Sequence, residues 1–206
     1  MPLRLWAKSR RLTIWLTMAL GVLVTELLFG TTHVPVPHFG SSGSLFPPVT
    51  LLAAVLPVVT AAVSSLNADV YVAGAGDVEK VFGRLERLGF VAVTAIAWLL
   101  PEVISLFHHP HHGTSSYVSS LLVLLPLAWG CSALVGAALS WLTPLIYSLA
   151  ALTVGGGAYG PPSSWDWWRA PFLSRSGWTI CIGWAVVLSA VYIWWGPQRR
   201  VADIDV

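Results

Sequence analysis

Apolar residues in this chain gather in runs of roughly 18 to 22, separated by short polar breaks, and a helix needs about 20 residues to cross a hydrocarbon core. Six such runs can be marked: residues 12–29, 48–66, 89–107, 117–138, 141–158 and 178–195. The first begins behind Arg10 and Arg11 and ends at Thr25-Glu26-Leu27-Leu28-Phe29. It has the outline of a signal peptide, but its length and the lack of a small-x-small cleavage site make it a retained span. Residues 30–47 read as an uncharged loop with Gly and Pro. No residue from Tyr117 to Trp165 carries a formal charge. That is too long for one crossing, so the stretch predicts a tight helical hairpin turning near residues 140–144. Pro57, Pro101, Pro126 and Pro144 interrupt the runs. In a bilayer this requires neighbouring helices, Ser or Thr hydroxyls, or water to satisfy the freed carbonyls.

Charge decides how the runs thread. Nine of the eleven Lys and Arg residues fall in three stretches, 4–11, 80–87 and 199–200. Basic residues accumulate on the cytoplasmic side, which sets both termini and residues 67–88 inside. The predicted fold class is therefore all-α: a polytopic integral membrane protein of six transmembrane helices, in one domain spanning residues 1–206. Composition agrees, with 56% hydrophobic and 10% charged residues where a soluble domain carries about 25% charged. The net charge of +2 sits in flanks rather than in a patch, which argues against nucleic-acid binding and for contact with headgroups. The expected location is a bacterial plasma membrane.

The most organised polar stretch is residues 77–88. Asp77 follows Gly76 as an N-cap residue, and Val78, Val81, Phe82, Leu85 and Leu88 recur at helical spacing. Glu79, Lys80, Arg84, Glu86 and Arg87 fill the other faces, which predicts a short amphipathic helix ahead of the third span. Such a helix can simply rest on the inner leaflet. Residues 160–177 hold Trp165, Trp167 and Trp168 beside Asp166, Arg169 and Arg175, a mixture suited to the outer headgroup zone.

The order of these parts resembles the permease half of six-span ATP-binding-cassette exporters. The shared features are a basic amphipathic start, a charged helix between spans two and three, a tight inner hairpin between spans four and five, and an aromatic outer segment before span six. The resemblance is architectural and covers nearly the whole chain. It implies that residues 77–88 meet a separate ATPase subunit, with Asp77, Glu79, Arg84, Glu86 and Arg87 as the coupling residues. It also implies a second permease copy or a sister permease, to enclose a path. The chain departs from the pattern in its short outer loops and in the Gly- and Ala-rich connection at residues 67–76. It has no GxxxxGK[ST], since Gly155-Gly156-Gly157-Ala158-Tyr159-Gly160 lacks the Lys, so ATP belongs on the partner and no cofactor is expected in this chain.

Glu26 and Glu102 are the acidic residues inside the runs. A charged carboxylate at the bilayer centre costs about 2.5–3.5 kcal/mol on insertion scales, so each must face protein or water, or hold a proton. They read either as a vestibule for a cationic substrate or a proton, or as groups that reach headgroups or a neighbouring helix. All six His, namely His33, His38, His108, His109, His111 and His112, lie in the first two outer loops. His108-x-x-His111-His112 matches one box of membrane di-iron enzymes, which need several boxes and about eight ligands. A metal site at His108, His109, His111 and His112, a pH-sensitive loop and a solvated loop without a role all remain open. Cys131 and Cys181 lie in apolar runs without paired spacing and read as packing residues.

No nucleophile arrangement or paired-carboxylate geometry can be assembled, so the chain is expected not to be an enzyme. The leading expectation is a permease subunit of an ATP-driven exporter of a hydrophobic, amphipathic or cationic substrate. The alternatives are a metal-binding or redox membrane enzyme using the outer His, and a membrane scaffold or immunity protein that transports nothing.

Overall fold

The computed structural model describes residues 12–29, 32, 34–38, 41–46, 51–52, 55–56, 58–59, 77–108, 114–136, 139–153 and 174–197. The elements are α1 (Leu12–Phe29), β1 (Val34–His38), β2 (Ser41–Phe46), α2 (Asp77–His108), α3 (Thr114–Leu134), α4 (Leu142–Thr153) and α5 (Arg175–Trp195). Described residues between 51 and 59 are also helical, and Leu56 among them is buried. The fold is predominantly helical. Two of its helical stretches, Tyr117–Leu134 and Arg175–Trp195, are long and apolar enough to cross a membrane.

The all-α reading takes one exception. Residues expected as a loop form an antiparallel hairpin in which Val34 faces Phe46, Pro35 faces Leu45 and Val36 faces Ser44. The register shifts between Val36 and His38. Proline donates no ladder hydrogen bond, and a two-stranded hairpin tolerates it because each strand has an open edge.

α3 is the central helix. Leu121, Val123, Leu124, Leu125, Ala128 and Trp129 are all buried, and its most extensive partner is α5. Gly130 makes that approach possible: a Cβ there would lie 2.8 Å from Leu188 Cδ2 on α5. One core cluster joins Ala19 and Val22 of α1, Phe90 and Trp98 of α2, Tyr117 and Trp129 of α3, and Tyr192 of α5. A second joins Val123 and Leu124 with Ala151 of α4 and Cys181 of α5. Both cysteines are free, and Cys181 is fully buried.

Helix boundaries depart from the sequence expectation in several places. α3 ends at Leu134 and the turn is set by Gly136, whose φ of 105° is costly for any residue with a Cβ. Pro144 then falls in the first turn of α4, where its missing N–H would have had no partner anyway. The predicted break between a short helix at 77–88 and a span at 89–107 is absent: α2 is one continuous helix of 32 residues. A helical Gly89 costs about 1 kcal/mol, which the packing of Arg87 and Phe90 on either side of it offsets.

Near two of the helical prolines a side chain from a neighbouring helix donates to a backbone carbonyl. A helical proline leaves its i−4 carbonyl without a donor and loosens the turn around it. Three residues before Pro126, the Val123 carbonyl accepts from Trp184 Nε1 of α5 at 3.3 Å. Three residues before Pro101, the Trp98 carbonyl accepts from Tyr117 Oη of α3 at 2.9 Å. Hydroxyls add bonds within helices, as Thr94 Oγ1 does to the Phe90 carbonyl. If Trp184 serves the proline turn, Trp184→Phe costs about 0.6 kcal/mol, the usual size of such bonds between membrane helices. In a Pro126→Ala background the cost should fall towards zero. Denaturant titration of the four proteins in detergent checks this, and an undiminished cost would separate the tryptophan from the proline.

Candidate functional site

Arg84 and Arg87 lie three residues apart and so share a face of α2. That face meets the end of α5. Arg87 Nε donates to the Ile193 carbonyl at 2.9 Å, and the residue is only 8% exposed. The last carbonyls of a helix have no partner within it and carry the negative end of its dipole, so a buried cation is well placed there. Arg84 stands over the Trp194 ring, 4.0 Å from its centroid, within cation–π range.

The backbone is shaped to admit the guanidinium. Gly196 caps α5 at φ 70°, and its N–H donates to the Tyr192 carbonyl. A Cβ on Gly196 would overlap Arg87. Tyr192 in turn stacks on Trp129 of α3, with ring centroids 6.3 Å apart. The arginines of α2, the end of α5 and the middle of the core are thus in continuous contact.

Immediately beyond lies a partly open apolar groove of about 120 Å³ between α2, α3 and α5. Val91, Ala95, Trp98, Leu125, Trp129 and Ala185 line it, with Pro126 at the turn already described. Its walls carry no charged side chain. A groove lined in this way accepts apolar groups.

The other predicted residues divide by position. Asp77 opens α2 and Glu79 lies in its first turn. Glu86 is half-buried. Glu26 sits one turn before the end of α1, Glu102 less than two turns before the end of α2, and the two helices pack on each other. His108 ends α2, whereas His109, His111 and His112 lie outside the described residues. Among the described residues no group of three or more His, Cys, Asp or Glu is placed to hold a metal. The basic residues 4–11 and 199–200 and the aromatic residues Trp165, Trp167 and Trp168 also lie outside the described residues.

No family model, curated protein or solved structure matches this chain.

Sequence reasoning missed Gly196 and the tryptophans at the end of α5. A signal was present: Trp195-Gly196-Pro197 has the glycine-then-proline order that stops a helix. What no spacing could show is that Arg84 and Arg87 turn towards that stop.

Proposed function

We propose that this chain is a non-catalytic membrane subunit of an ATP-driven transporter, crossing the bilayer six times with both termini in the cytoplasm. A separate ATPase binds the acidic start of α2, and a second copy or a sister subunit completes the path. The observation that carries this reading is the continuity of α2 and its fastening to α5. At about 1.5 Å per residue its 32 residues span about 48 Å, against about 30 Å of hydrocarbon. With α2 set across a bilayer, its first turns would stand beyond the hydrocarbon.

Exposure supports that division. Leu85, Leu88, Ile96, Leu100 and Val103 form an exposed apolar stripe along α2, and Ile180, Ile182, Val186 and Val187 are exposed around much of the circumference of α5. Water would disfavour so much contiguous apolar surface, whereas lipid covers it without cost. A push on Asp77 and Glu79 would travel along one rigid helix to the groove wall at Val91, Ala95 and Trp98. Through Arg87 it would move the last span as well. The uncharged groove suits the apolar part of a substrate better than a cation.

Affinity purification of the tagged chain from its own membranes tests the partner. A nucleotide-binding ATPase should co-purify in stoichiometric amount, and the charge exchange E79K with K80E should cut its recovery at least tenfold while the chain stays monodisperse. Recovery of no ATPase, or full recovery with the exchanged charges, overturns the proposal.

A further inference from the structure

We propose that the groove between α2, α3 and α5 binds a neutral, lipid-soluble ring carbonyl compound of the quinone type. The inference deepens the reading of that groove as the place of a substrate's apolar part. It rests on the membrane fold proposed above but needs no ATPase.

At about 120 Å³ the groove approaches the size of a cavity of about 150 Å³ that takes up benzene, so it admits one six-membered ring. Trp98 and Trp129 bring two indoles to its wall, the kind of surface on which a flat ring stacks. The same residues set its polarity. No charged or amide side chain stands in the lining, whose polar members are the two indoles, donors only, and the hydroxyl of Ser189. Trp129 is 3% exposed, and its Nε1 is buried with no acceptor among the described residues. A ligand carrying a carbonyl oxygen brings an acceptor to a wall of donors. One whose polar group is an N–H only adds another donor.

Depth chooses among neutral carbonyl compounds. Ala185 stands ten residues from either end of α5, so it lies about 15 Å from each, midway along a span as long as the hydrocarbon is thick. Trp129 is five residues inside the end of α3, or about 8 Å. The ester oxygens of a phospholipid stay beside its headgroup, and the chain ends that reach this depth are plain hydrocarbon. A molecule with its oxygens on a ring and no charged head can bring them to the groove. Val91, Ala95 and Leu99 in the lining are half-buried, which leaves a way in from the side of α2.

Tritiated decylbenzoquinone, bound to the purified full chain in detergent and followed by scintillation proximity, provides the test. Binding should saturate, and unlabelled decylbenzoquinone should displace the label about tenfold more effectively than decylbenzene, which has the same ring and tail without the oxygens. W129F keeps an aromatic wall but removes the donor, and should shrink that advantage to about twofold while decylbenzene competes as before. A95F fills the groove from a half-buried position and should weaken both compounds about tenfold or more. Unsaturable uptake overturns the proposal, as does equal competition by decylbenzene or by dioleoylphosphatidylcholine. So does an advantage that W129F leaves intact, or binding that A95F leaves intact. Saturation and competition are read on the unaltered chain, so they decide the matter even if a variant misfolds. Recovery of an ATPase neither needs nor predicts this binding, and the two readings fail separately.

Discussion

Arg87→Met is expected to lower stability by about 2–3 kcal/mol and to release the end of α5 from α2. The bond from Arg87 Nε to the Ile193 carbonyl is a charge-assisted one, a class worth about 1.5–3 kcal/mol, and it sits almost out of water. Methionine keeps much of the aliphatic volume, so lost packing contributes little. What disappears is the donor, the charge at the negative end of the α5 dipole, and the group that Gly196 leaves room for. Arg87→Lys separates these contributions. It restores the charge without the planar fork and should recover less than half of the loss. Denaturant titration in micelles gives the energies. A spin-label pair on α2 and α5 gives the geometry, with a distance distribution that broadens in the Met variant. A sharp, unchanged distribution would show that Arg87 does not hold the two ends together.

The reach of the sequence can be judged from particular elements. The range of α1 coincides with the first apolar run because Arg10 and Arg11 bound it on one side and Gly30 on the other. α5 starts three residues before the predicted Trp178 because Ser174 caps it, its Oγ accepting from the Gly177 N–H. That polar extension costs nothing in hydropathy and is invisible to it. The hairpin at Val34–Phe46 was missed because Pro35, Pro37 and the glycines outweighed the alternating residues, although a lone pair of strands can absorb prolines. At the site, helical spacing put Arg84 and Arg87 on one face of α2 but could not say what that face meets. The structure sets Arg87 against the Ile193 carbonyl and Arg84 over the Trp194 ring. Which helix covers which face is a property of packing between distant segments, and one chain's spacing does not contain it.

A larger side chain at position 130 should be strongly destabilising. α3 and α5 approach where Gly130 faces Leu188, and even an alanine Cβ would stand 2.8 Å from Leu188 Cδ2 and 3.3 Å from its Cβ. The second distance matters more, because the Leu188 Cδ2 can rotate away while its Cβ moves only with the backbone. Gly130→Val must therefore force the helices apart by several tenths of an ångström or more. Overpacking of this kind costs about 1–3 kcal/mol, and the upper end applies here because α3 is buried on nearly all sides. The disturbance also spreads. Parting the helices loosens the stack of Trp129 on Tyr192 and lengthens the reach of Trp184 to the Val123 carbonyl. Leu188→Ala alone should cost less, and combined with Gly130→Val it should restore most of the lost stability by returning the volume to the interface. A thermal unfolding series in micelles measures all four proteins. If the double variant is no better than Gly130→Val alone, the close approach of α3 and α5 at this point is not what Gly130 provides.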